Sequence, residues 1–329
     1  MAPVTPEFVM LSRVADSLYW MSRYLERAEH TARLIDVNVV LTLDQAPAFA
    51  TRRWAGLLAS LHAELSDSSP TNTRMIVEAL TLDRSNKSSI ISAITAARDN
   101  ARQVREQISS EMWEQVNRLY LQISSAGTDE IWNAQPHAFF RGIMDGIHLF
   151  HGVMDATMGR GEGWHFMELG RFLERASNTA ALLDIHFREE MGKPERRLDV
   201  TDYLNWVGLL KSRTAFEAYC QAYSAEVRPE RVAEFLVLNA EFPQSIHFAA
   251  TGMRAAAQAI GRATRTDEGG EIERLAGRLQ AELRFARIEE LMAGDLHVFL
   301  DQIRRRCREI HTTLHRTYIA PPIESLVQS

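Results

Sequence analysis

Leu11, Val14, Leu18, Met21, Leu25, Ala28, Ala32, Ile35 and Val39 recur at alternating intervals of three and four residues. That spacing places them on one stripe of a long helix, predicted from about Pro6 to Asp44. Pro47 is expected to break the chain, because proline cannot continue a helix without losing a hydrogen bond. Helices are then predicted at about 51–65 and 72–81, separated by the turn-forming cluster at 66–70. From Ser88 to Ser125 there is no Pro or Gly, and Ala, Arg, Gln and Glu are dense, so one continuous helical stretch is predicted. Further helices are predicted at about 137–158, 164–190, 200–224, 229–239, 243–265, 268–293 and 295–317. The stretch Gly159-Arg-Gly-Glu-Gly163 reads as a hinge. No period-two run bounded by hairpin turns occurs, so the fold class is all-α.

Self-similarity refines this picture. Arg23-Tyr-Leu-Glu-Arg-Ala28, followed by Thr31, Ala32, Leu34 and Asp36, recurs as Arg171-Phe-Leu-Glu-Arg-Ala176, followed by Thr179, Ala180, Leu182 and Asp184, at an offset of 148. A second echo relates Glu78, Leu80, Leu82, Ser89, Ile90 and Ala93 to Glu234, Leu236, Leu238, Ser245, Ile246 and Ala249, at an offset of 156. The expected architecture is a helical bundle built from two diverged tandem copies of one helical unit. The copies are placed at 1–126 and 160–317, with 127–159 as a connecting helix and 318–329 as an extended tail. Two such copies would bring the long helices side by side about a pseudo-two-fold axis.

Composition then removes several functional classes. A net charge of −6 argues against a nonspecific nucleic-acid or anionic-membrane binder. The basic run Arg304-Arg305-Arg306 with Arg308 reads as a solvated helix face. The two cysteines, Cys220 and Cys307, form neither a disulfide framework nor a zinc motif, which suits a reducing, cytoplasmic compartment. No signal peptide is expected, and no apolar run approaches the roughly 20 residues of a membrane span. No cofactor-binding motif is recognised: the 159–163 stretch lacks the Gly-Lys-Ser/Thr ending of a P-loop.

Candidate chemistry concentrates in the repeated stretch. Arg23, Glu26, Arg27 and His30 lie off the centre of the apolar stripe, as do Arg171, Glu174, Arg175 and Asn178 in the second copy. Glu26 and Arg27 point about 100° apart and should seek different partners. Two readings stand side by side. Buried ion pairs would hold helices in register. Alternatively, guanidinium forks would bind a carboxylate or phosphate, with the glutamates orienting them or binding an amine. A second candidate group is Arg141, Asp145, His148 and Trp164, with His151 nearby. Asp145, His148 and His151 share a helical face that suits a metal ion. The paired Glu-x-x-His helices of a di-iron bundle are missing, however, so packed or solvated histidines are the plainer reading and no metal is expected.

The segments Met10-Leu-Ser-Arg-Val-Ala-Asp-Ser-Leu-Tyr-Trp-Met-Ser-Arg-Tyr-Leu-Glu-Arg-Ala-Glu-His-Thr-Ala-Arg33, Phe139-Phe-Arg-Gly-Ile-Met-Asp-Gly-Ile-His148 and Gly161-Glu-Gly-Trp-His-Phe166, running into Gly170-Arg-Phe-Leu-Glu-Arg-Ala176, resemble the alpha-E domain proteins. That bacterial family is named for its helices and its Glu-Arg motif. The resemblance implies a genomic association with a circularly permuted ATP-grasp protein and a transglutaminase-like cysteine peptidase. It therefore implies peptide synthesis or modification, with ATP-grasp chemistry activating a carboxylate as an acyl phosphate. It assigns no catalytic residue. The leading expectation is an accessory, non-catalytic protein acting with those two partners and holding a peptide or small acidic ligand. One alternative is an enzyme of that pathway, with Glu26 or Glu174 as general base and the arginines clamping an anionic substrate. The other is a purely structural helical adaptor.

Overall fold

The computed structural model describes residues 10, 12–43, 46–63, 72–133, 135–191, 200–264 and 269–319. Among them every regular element is helical. The elements are α1 (Ser12–Thr42), α2 (Pro47–Leu61), α3 (Thr73–Thr81), α4 (Ile90–Gln103), α5 (Ser110–Ser125), α6 (Thr128–Asn133), α7 (Pro136–Thr157) and α8 (Glu162–Met191). They continue as α9 (Val200–Ser212), α10 (Phe216–Tyr223), α11 (Pro229–Leu238), α12 (Ile246–Thr264), α13 (Gly269–Phe285), α14 (Ile288–Ala293) and α15 (Leu296–Leu314), which runs into a π-helical turn, His315–Ile319.

The described members of the α1 stripe, Val14 through Val39, are all buried, and Leu11 lies outside the described residues. Burial of α1 goes further than one stripe. Tyr19, Glu26, Glu29, His30, Thr31, Leu34, Asp36 and Asn38 are buried as well. The cause is position: α1 is surrounded by α8, α4, α7, α9 and α2. A helix enclosed on several sides must bury polar side chains too, and each then needs a partner. Helix α8 is placed similarly, against α1, α12, α15 and α2.

Several predicted boundaries are corrected. Pro47 does not break a helix but opens α2, as Pro136 and Pro229 open α7 and α11. Proline's missing N–H has no consequence in the first turn, where that donor has no intrahelical acceptor. The 88–125 stretch is two helices. Ser109 accepts a hydrogen bond from the Met112 backbone N–H (3.2 Å) and caps α5, while buried Val104 and Ile108 anchor the intervening turn. The 200–224 stretch divides at Thr214, whose φ of 51° ends α9 without a glycine. The 268–293 stretch divides into α13 and α14. Within 127–159 there are two helices, and α7 packs on both α1 and α5. Of the predicted tail, residues 318–319 belong to the π-helical turn and the remainder lies outside the described residues.

Candidate functional site

The two longest described helices, α1 and α8, lie against each other, and their backbones come close. A Cβ added at Gly170 would sit 2.5 Å from the Tyr19 carbonyl oxygen, so only glycine permits the approach. At this separation the Glu-Arg stretches of the two helices interlock reciprocally.

At one end, Arg175 grips Glu26 with a two-pronged contact. Its Nε donates to Oε1 (2.7 Å) and its Nη2 to Oε2 (2.8 Å). The third nitrogen, Nη1, donates to the Pro243 carbonyl (3.0 Å), so every arm of the guanidinium is engaged. Both residues are buried. Bidentate Arg–carboxylate pairs are among the stronger protein hydrogen bonds. At the other end, Glu174 receives two arginines. Arg23 donates through Nε to Oε2 (2.7 Å), with its Nη2 at 2.6 Å from the same oxygen, and Arg27 donates through Nε to Oε1 (2.8 Å). Burial pushes the Glu174 pKa up, but the charges of Arg23 and Arg27 overcome this and hold it at about 2. Glu26 and Arg27 thus have separate partners, as their 100° divergence requires.

Around these pairs sit polar residues that the sequence did not single out. Arg213, at the end of α9, donates to Nδ1 of His30 (2.9 Å) and also bonds the Gln244 side chain. Burial, then the charge of Arg213, depresses the His30 pKa to about 3, so the ring is neutral. Arg171 does not reach Glu26; its Nη2 donates to Glu168 on its own helix (2.7 Å), while its Nε is buried without a partner. Glu29 binds Arg33 (Nε, 3.1 Å) and lies 3.5 Å from Nε2 of His148. Tyr19 contacts Nδ1 of His311 through its hydroxyl (2.9 Å) and accepts from Nη1 of Arg23 (3.1 Å).

The Glu174 end opens into a pocket of about 230 Å³. It is lined by Arg23, Arg27 and Thr31 of α1, by Glu174, Ser177 and Asn178 of α8, and by Ser60, His62 and Ser88. His62 occupies the left-handed region (φ 50°) at the end of α2, a conformation unusual for a residue with a side chain.

Of the second candidate group, His148 and its neighbour His151 approach the interlock; the His151 ring nitrogens are buried, and burial, then the charges of Arg171 and Arg175, holds its pKa well below the usual histidine value. Arg141 and Asp145 are exposed and face each other at 3.8 Å. Trp164 lines a different cleft, of about 620 Å³, with Arg13, Glu106 and Glu162, under the guanidinium of Arg160 (4.4 Å from its ring). Among the described residues, no three His, Cys, Asp or Glu side chains converge as a metal site. No helix among them is long and apolar enough to cross a membrane.

An all-helical bundle whose two longest described helices exchange Glu-Arg pairs defines the class of this protein. The chain belongs to the Alpha-E family, described as a predicted alpha-helical domain with a conserved ER motif, which it matches over residues 10–319. Similar curated proteins include an uncharacterized protein of Mycobacterium bovis and two of Mycobacterium tuberculosis, each 21% identical across 94% of this chain. The chain spans about 37% of the length of these relatives. No solved structure matches it.

Proposed function

We propose that this protein is a non-catalytic helical accessory that acts with an ATP-grasp peptide ligase and a transglutaminase-like peptidase in peptide synthesis or modification. The single observation behind the non-catalytic reading is the state of the two motif glutamates. A general base needs a free lone pair and a pKa near the working pH. Glu174 has both oxygens occupied by arginines and a pKa held at about 2. Both oxygens of Glu26 are taken by Arg175. The motif is built as a lock between helices, and a locked carboxylate is a poor proton acceptor. The partnership itself is carried by the family resemblance. The length of the mycobacterial relatives, in which this region is a little over a third of the chain, is consistent with a unit that works beside other chemistry.

The interlock also favours a tandem duplication. Glu26–Arg175 and Glu174–Arg27 are the same pair exchanged between the two motifs. A further correspondence strengthens this. Asp36 bonds His137 at the start of α7 (2.7 Å), and Asp184 bonds His297 at the start of α15 (2.5 Å). On this reading α7 is the counterpart of α15. The first unit then extends through Thr157, and the segment after α5 is part of that unit instead of a connector.

The test is co-purification of this chain with the circularly permuted ATP-grasp protein, with ATP turnover and product masses measured with and without it. Glu174→Gln, checked for folding by circular dichroism, is expected to retain the partner and the product. Retention of the partner with loss of product would move the assignment to an enzyme.

A further inference from the structure

The two ends of the interlock differ in how many hydrogen-bond donors they leave over. At the Glu26 end Arg175 has no spare arm, because its three nitrogens serve Glu26 and the Pro243 carbonyl. At the Glu174 end Arg27 uses Nε alone, and neither of its Nη groups has a hydrogen-bond partner among the described residues. Its side chain is 28% exposed, against 9% for Arg175, and it lines the open pocket. Two guanidinium charges there face one carboxylate, so the wall carries an excess positive charge.

One turn further along each helix, the lining is also short of partners. Thr31 is fully buried, yet its Oγ1 has none, and Nδ2 of Asn178 is buried and unpaired. An unpaired buried polar atom is costly, and in native proteins each calls for a cause such as a bound water or ion. His62 at the mouth contacts Arg304. Burial, then the charges of Arg304 and Arg308, lowers its pKa. The pocket, about 230 Å³, exceeds the roughly 150 Å³ that admits a benzene-sized molecule.

We propose that this pocket binds the terminal oxyanion, carboxylate or phosphate, of a small ligand through the free arms of Arg27 and the polar groups of Thr31 and Asn178. Glu174, itself held by Arg23, holds Arg27 in place, and neither takes the ligand. The site stands apart from the ATP-grasp partnership, since it needs only this chain.

Isothermal titration of the full chain tests this, with inorganic phosphate in one arm, glutarate in the other, and ionic strength held constant with sodium chloride. Saturable binding of at least one anion is expected, and the arm that binds identifies the headgroup. Arg27→Gln should weaken binding at least tenfold. Thr31→Val, which keeps the side-chain shape, should weaken it several-fold and remains informative if the arginine variant folds poorly. Absence of saturable heat in both arms, or equal affinities in the wild type and Thr31→Val, would overturn the proposal.

Discussion

The Glu26 and Glu174 ends of the α1–α8 interlock use the same residue types and do different things. At the Glu26 end one arginine meets one carboxylate, the contact is two-pronged, and a backbone carbonyl takes the remaining arm. At the Glu174 end two arginines meet one carboxylate, and one of them keeps free donors facing a pocket. The divergence follows from the fourth arginine. Arg171, which corresponds to Arg23, is drawn aside by Glu168, whereas the matching position on α1 is Trp20, which offers no charge and instead stacks under Arg23 (4.7 Å from its ring). One neighbouring residue thus decides whether the motif makes a neutral pair or a cationic triad. The sealed end can only hold helices together; the open end can hold them and still present charge.

The largest expected effect follows at the sealed end. Arg175→Met strips buried Glu26 of its hydrogen-bonded partner, leaving only the nearby charge of Arg213, and breaking a buried pair typically costs about 3–5 kcal/mol. Urea unfolding should show that loss. Adding Glu26→Leu should return much of it, because a well-packed apolar pair replaces a buried ion pair at little cost. A loss within 1 kcal/mol, by the scale of exposed pairs, would mean that the sealed end is solvated after all.

How far the sequence reveals this contrast depends on the kind of signal. The α1 stripe and the recurrence of Arg-x-x-Glu-Arg-Ala are local and periodic, so the helices and the motif were both legible. The divergent directions of Glu26 and Arg27 also follow from helix geometry alone. What was not legible depends on contacts between distant elements. Arg213 reaches His30 because α9 stops at Thr214 in a left-handed conformation, and no glycine marks that stop. His62 enters the pocket through a similar left-handed ending of α2. Thr31 looked like an ordinary helix residue, and only its enclosure between helices leaves its hydroxyl unpaired. Arg141 and Asp145 illustrate the opposite error. Their spacing resembled a site, but three-and-four spacing on an exposed face equally gives a solvated i,i+4 pair.

A smaller effect concerns pH and the sealed end. His30 is held neutral with its pKa lowered from 6.5 to about 3, by burial and then Arg213, against the opposing charges of Glu29 and Glu174. The unfolded chain therefore binds a proton that the folded chain refuses as pH falls from about 6.5 toward 3, and stability declines across that window. His30→Asn, which installs the residue found at the matching position of α8, should make the decline shallower in unfolding free energies measured from pH 7 to pH 4. It should not abolish it, since His311 is depressed in the same direction, to about 4. An unchanged slope would show that His30 is protonated in the fold.

The smallest effect belongs to the open end and tests the comparison most directly. Arg27→Gln removes one of two arginines from Glu174 but leaves Arg23 in place, with its Nε at 2.7 Å and its Nη2 at 2.6 Å from the carboxylate. No charge is stranded, and the lost pair is partly solvated, so the stability loss should stay below about 1 kcal/mol. Because Arg23, Trp20 and Tyr19 hold their contacts without Arg27, the pocket wall should survive the substitution. Set against Arg175→Met in the same unfolding assay, the two arginines of equivalent sequence position should differ several-fold in cost. If they cost the same, the open end is as structural as the sealed one and its free donors are incidental. If Arg27→Gln is the cheaper by the expected margin, the second arginine on Glu174 has a role that packing does not explain.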